Sequence, residues 1–230
     1  PAWADTTAIY DVFDMYCFDS LLVTLSGPKT NKYFGHIIHL NEPGTLGHFA
    51  PRGRGPGEVG IVFSASRNTE DQLFLFDQTS GSMLVFNMRK YIRHKPLDFH
   101  RLFHFKNPLH VGKVINYPKD YFLTDGMSKQ GRWIVYDKEG KKRKTFGNFP
   151  PQDSAMNYMS RAMGYSGRFA VSPDGAHAAY GTHKGAVLSF FRKDNQKIVR
   201  IREERIYHLP EFEASAKDGR FSAPIKKSAK

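Results

Sequence analysis

An aliphatic-centred segment returns through this chain at near-constant spacing. Gly35-His36-Ile37-Ile38-His39-Leu40, Met83-Leu84-Val85-Phe86-Asn87, Arg132-Trp133-Ile134-Val135-Tyr136-Asp137 and Val187-Leu188-Ser189-Phe190-Phe191-Arg192 share an apolar middle and a polar exit. With Ile37, Val85, Val135 and Leu188 as markers, the steps are 48, 50 and 53 residues. A four-strand unit returning every ~40–50 residues has the period of a β-propeller blade. One small sheet cannot bury both of its faces, so each unit must lean on a neighbour.

The rest of the chain fits that period. Short alternating apolar runs, bounded by turn residues, predict strands over 9–13, 21–25, 33–40 and 45–49, then 61–64, 72–76, 83–87 and 99–105. Two further sets follow at 111–116, 121–124, 133–136 and 143–146, and at 168–171, 178–180, 186–191 and 198–201. Asp77-Gln78-Thr79-Ser80-Gly81-Ser82 and Asp137-Lys138-Glu139-Gly140 are hairpin turns by composition. The fold class is therefore all-β, a single propeller domain over 1–230 with four-stranded antiparallel blades at about 9–58, 59–107, 108–149 and 168–205. An insert at 150–167 is expected to hold the one short helix, and 206–230 reads as a linker entering a fifth blade.

Between the first two blades lies Phe49-Ala50-Pro51-Arg52-Gly53-Arg54-Gly55-Pro56-Gly57-Glu58. Proline lacks an amide donor and glycine is entropically costly in a strand, so this stretch must be a connector on the rim of the sheets. It resembles the Gly-Arg-Gly-Pro-Gly-Glu signature of bacterial six-bladed propellers of the TolB-like family. The strand opening Ile9-Tyr10-Asp11-Val12 and the turn Ser172-Pro173-Asp174-Gly175 are similar to that family's repeats. The resemblance covers roughly 9–205, and it implies a periplasmic, secreted or lipid-anchored bacterial binding scaffold. About four blades are readable of the six the resemblance implies, which suggests a fragment or a shortened ring. The chain opens Pro1-Ala2-Trp3 without an initiator Met, as after processing or a cut.

Composition narrows the function classes. Aromatics reach 14%, with 19 Phe and 11 Tyr, which favours strands over disorder. No apolar run approaches the ~20 residues of a membrane-spanning helix. Thirty-four Lys and Arg against 22 Asp and Glu give a net charge of +12, a field that favours anionic partners. The clusters Lys141-Lys142-Arg143-Lys144 and Lys226-Lys227-Ser228-Ala229-Lys230 read as a solvated outer strand and a terminus, so nucleic acid is not the favoured partner. A protein, glycan or small-molecule ligand, with anionic character, fits better.

The candidate chemistry is sparse. His36 and His39 lie three apart on one strand and point to opposite faces, while His100 and His104 would stand ~13 Å apart on an extended chain. Neither pair chelates. Cys17, between Tyr16 and Phe18, reads as a buried inert thiol. Glu203-Glu204 and Glu211-Phe212-Glu213 read as solvated charges, and the connector lacks the Gly-Lys-Ser/Thr ending of a phosphate loop. Aromatic and basic residues interleave in 99–106, which reads as core, and in 88–95, which reads as surface. No catalytic, cofactor or metal residue is assigned and no cofactor is expected. The reading is a non-catalytic ligand- or protein-binding scaffold. The alternative is a propeller lyase or hydrolase acting on an acidic glycan, its residues gathered from separate blades.

Overall fold

Four antiparallel four-stranded sheets, the blades of a propeller fold, and one short two-stranded sheet are formed among the described residues. The computed structural model describes residues 11–27, 32–42, 46–92, 99–118, 120–150, 158–195, 197–205, 212, 215–217 and 220–222. The chain divides into two compact units, 1–108 and 109–230.

In the first unit, β1 (Val12–Phe18), β2 (Leu21–Ser26), β3 (Tyr33–His39) and β4 (Leu46–Pro51) pair in chain order. β5 (Val62–Arg67), β6 (Gln72–Asp77), β7 (Ser82–Asn87) and β8 (Phe99–His104) form the second sheet, with α1 (Met88–Ile92) between β7 and β8. Inward residues of both sheets share one core: Val23, Leu25, Ile37 and Phe49 meet Leu73, Leu75, Leu84 and Phe86. Each such side chain contributes roughly 1.5–3 kcal/mol by leaving water. The connector then runs from β4 to β5, as its composition requires. Its Glu58 carboxylate accepts the Gly55 N–H at 2.7 Å and closes the loop on itself.

In the second unit, β9 (Val111–Asn116), β10 (Tyr121–Gly126), β11 (Trp133–Asp137) and β12 (Lys142–Phe146) form one sheet. The other contains β13 (Gly167–Val171), β14 (His177–Thr182), β15 (Val187–Asp194) and β16 (Lys197–Arg205), with α2 (Tyr158–Gly164) ahead of it. Trp133 packs edge-on against Tyr180 and Phe191, at 4.5 and 5.1 Å, and joins the two sheets. Beyond them, Phe212 packs on Tyr165, and β17 (Ser215–Lys217) pairs with β18 (Arg220–Ser222).

Hairpin chemistry follows the turn residues. Asp77 Oδ1 accepts the Thr79 N–H, and Asp137 Oδ1 accepts those of Glu139 and Lys141, so one carboxylate organises each central turn. β-Bulges interrupt the outermost strand pair of three sheets, at Met83/Leu84, Val135/Tyr136 and Phe190/Phe191. Of the four third-to-fourth strand pairs, β3–β4 alone keeps an unbroken register among the described residues.

Three expectations need correction. Cys17 is exposed rather than buried. It lies on the face of β1 opposite Leu22, away from the core side that Phe18 fills. The insert does not hold the one helix, because α1 forms within 88–95. There Met88 is buried and Tyr91 packs on the core, while Arg89 and Lys90 face solvent. Strand β1 starts at Val12, later than the expected 9–13, and positions 9 and 10 lie outside the described residues. Glu211, Glu213 and the basic terminus 226–230 also lie outside them.

Candidate functional site

One face of the first sheet carries a row of polar side chains. Register places Thr24 of β2 opposite His36 of β3, and His36 opposite His48 of β4. Period two puts Ser26 beside Thr24, and Phe34 beside His36, on that same face. Arg52, just past β4, lays its guanidinium over the Phe34 ring at 3.5 Å and donates from Nη2 to the Ser26 and Gly27 carbonyls. That anchors the first connector arginine inward, by carbonyls and a ring.

The row holds unspent hydrogen-bonding capacity. Thr24 Oγ1, Ser26 Oγ, His36 Nε2 and Arg52 Nε are all buried and have no hydrogen-bond partner among the described residues. His36 and His48 approach Nδ1 to Nδ1 at 3.0 Å, so one ring donates and the other accepts. Burial, then the nearby His48 and Arg52, lower the His36 pKa to about 4, which keeps its imidazole neutral at physiological pH. At the margin, exposed His48 stacks on Tyr33, centroids 4.9 Å apart and planes 13° from parallel. Two hydroxyls, a neutral imidazole and a fixed cation suit an oxygen-rich ligand carrying negative charge. The aromatic stack can cover the face of a ring. A metal is poorly served, since Arg52 repels it and the described residues gather no group of three His, Cys, Asp or Glu.

A second polar cluster lies in the other unit. The Tyr180 hydroxyl reaches Asp125 Oδ2, and also lies 3.0 Å from the Tyr165 carbonyl oxygen. A hydroxyl has one proton, so both contacts become hydrogen bonds only when Asp125 carries a proton of its own. Burial indeed raises the Asp125 pKa, against the lowering effect of its bonds from Tyr180, Lys113 N and Gly167 N. Beside it, Arg132 is 1% exposed and faces Glu203 Oε2 at 3.6 Å. Burial lowers the Arg132 pKa, opposed by Tyr180, Glu203, Asp125 and Tyr165.

The sequence candidates fall as follows. His39 turns away from His36 toward Tyr91, as period two requires. His104 bonds with Ser82 Oγ and lies near the Ser80 carbonyl, whereas His100 is exposed. Glu203 is no solvated charge: it pairs with Arg132 and, at 2.8 Å, with Arg200. Lys142, Arg143 and Lys144 are exposed on β12, and Phe103 and Phe105 are core. Sequence reasoning missed the partnership of His36 with His48, Thr24 and Arg52. A hairpin pairing symmetric about Glu42 would have found its His48 half.

No family model and no curated protein matches this chain. Solved structures do. A Bacteroides fragilis protein named as exported aligns with TM-score 0.60 and 16% identity, over 86% of this chain and 52% of its own. An auxiliary nutrient binding protein from Bacteroides ovatus aligns with TM-score 0.53 and 9% identity, over 84% of this chain and 41% of its own. A Bacteroides uniformis protein named as a 6-phosphogluconolactonase gives 0.51 and 12%, over 90% and 61%. At these identities the likeness is one of fold. The chain spans between two fifths and three fifths of each of them. No described helix is long and apolar enough to cross a membrane.

Proposed function

We propose that this chain is a non-catalytic binding scaffold that holds a small, oxygen-rich anionic ligand, of the sugar-acid class, on the Thr24–His36–His48 row. The observation that carries this is the convergence of four buried, unpartnered polar atoms on one sheet face, with Arg52 supplying charge. Each such atom costs roughly 1–3 kcal/mol in the free protein. Local disagreement with good packing is what binding sites show. The nutrient-binding name of one structural neighbour and the exported name of another support the same reading. In its finer form the proposal is a single propeller domain, part of a six-bladed ring of TolB-like type, placed in the periplasm or outside the cell.

Calorimetric titration of sugar acids against the matching neutral sugars tests it. Acids should bind, neutral sugars at least about tenfold more weakly, and Thr24→Val or Ser26→Ala should weaken the acids by a further several-fold. No binding across the panel, or binding indifferent to both substitutions, sinks the proposal. Conversion of an acidic glycan into products would overturn the non-catalytic part.

A further inference from the structure

Arg132 is the most deeply buried cation described in the second unit. Its Nε, Nη1 and Nη2 all lie out of solvent without a hydrogen-bond acceptor at bonding geometry among the described residues. The guanidinium carbon lies 4.5 Å from the Trp133 ring centroid, 5.3 Å from that of Tyr180 and 5.6 Å from that of Tyr165. Glu203 stands off Nη1 at 3.6 Å, beyond hydrogen-bond reach, and its Oε2 is already held by Arg200 at 2.8 Å. The Tyr180 hydroxyl lies close enough to act as a weak acceptor for the guanidinium, but among the described residues no group meets the Nε–Nη2 edge, the fork with which arginine grips anions, at full bonding geometry. A second donor lies in the same packing: the Trp133 Nε1–H is buried and also without a partner.

Charge points the same way. Arg132 and Arg200 share the single carboxylate of Glu203. The other nearby carboxyl, Asp125, satisfies its contacts to Tyr180 only as the neutral acid. The cluster thus holds one positive charge in excess; Arg200 meets solvent, whereas Arg132 lies where water reaches poorly. An enclosed guanidinium with idle donors calls for an acceptor that is negative, small and easily stripped of water.

We infer that the seam between the two sheets of this unit binds a small monovalent anion of the halide class, held by the Nε–Nη2 edge of Arg132 with the Trp133 indole N–H beside it. The aromatic walls limit its size, and the weak hydration of a halide suits a dry site. The site would be structural, clamping β10 and β11 to β14 and β16. It is independent of the ligand row in the other unit.

The experiment combines crystals grown in bromide, read by anomalous scattering, with thermal melting as chloride replaces gluconate at constant ionic strength. Bromide should appear within about 3.5 Å of Arg132 Nε or Nη2, since halide contacts run longer than the ~3 Å of N–H···O bonds. The melting midpoint should rise saturably with chloride. Arg132→Met should abolish that dependence. If it does not fold, Trp133→Phe keeps the cation, removes one donor, and should weaken the apparent halide affinity about three- to tenfold. A melting curve indifferent to chloride overturns the inference, as does bromide bound only away from Arg132. Chloride dependence unchanged in Trp133→Phe overturns the role of the indole.

Discussion

Tyr180 on β14 and Asp125 on β10 meet through hydroxyl and carboxyl, and the pair ties two neighbouring sheets together inside the core of the second unit. The Tyr165 carbonyl at 3.0 Å gives the hydroxyl proton a destination, which leaves Asp125 as the group that must donate. A neutral carboxylic acid there behaves much as an amide would.

Asp125→Asn should consequently cost only about 1–2 kcal/mol at neutral pH, because the amide can donate to Tyr180 and accept from Lys113 N and loses only the long 3.4 Å bond from Gly167 N. Tyr180→Phe, which strands the acid, should cost roughly 1–3 kcal/mol. Denaturant unfolding of both decides the matter. An Asn variant weakened by more than about 3 kcal/mol would mean that a buried carboxylate had lost its charge. The raised Asp125 pKa also has a sign: folding holds its proton more tightly than the unfolded chain does. Its contribution is full below the unfolded value of 3.8 and declines as pH rises above it. Asp125→Asn should remove that downward slope.

His36 acts in the opposite sense. Its pKa is lowered to about 4 in the folded protein from the ordinary 6.5, so the unfolded chain binds more protons between those limits. Stability should climb with pH from about 4 to 6.5, by roughly 1–3 kcal/mol, and level off above. Thr24, His48 and Arg52 face the ring and supply no carboxylate to rescue its charged form. His36→Gln should flatten this rise in urea titrations taken across the range; an unaltered rise would place its origin elsewhere.

Replacing an idle buried hydroxyl separates stability from binding. Thr24→Val keeps the shape and removes an unpartnered oxygen, so the free protein should gain up to about 1 kcal/mol while ligand uptake falls. Loss of both together would identify Thr24 as a packing residue only.

Two glycines should respond differently to alanine. A Cβ on Gly35 would fall 2.1–2.5 Å from three atoms of the Phe49 ring, which itself packs on Phe86. Gly35→Ala should cost about 1–3 kcal/mol by overpacking. Gly57 sits at φ +78 with open space around it, so Gly57→Ala should cost only the ~1–2 kcal/mol of a left-handed backbone. A melting shift for Gly57→Ala larger than that for Gly35→Ala would contradict this reading of the connector.

Strand positions were legible because period two and turn residues are local signals. The predicted 21–25 became Leu21–Ser26, 72–76 became Gln72–Asp77, and 133–136 became Trp133–Asp137. Ile37, Val85, Val135 and Leu188 all lie on third strands, as their spacing implied. The candidate site was far less legible. His36 was compared with His39 along the chain, whereas its partners lie across the sheet, where register decides. Exposure of Cys17 depends on which face of β1 finds a neighbour, and alternation alone does not say. Glu203 looked solvated because the buried one of its two cations, Arg132, adjoins a strand of another sheet.

The unbroken pairing of β3 with β4 has a genetic corollary. Because Gly35 to Ile38 face Leu46 to Phe49 one for one, the imidazole couple depends on the reading length of a single hairpin arm. One codon inserted between positions 42 and 48 should swing the second ring to the reverse side of the ribbon. Descendants of this chain could therefore gain or lose the site by an indel, with every side chain that contributes to it left in place.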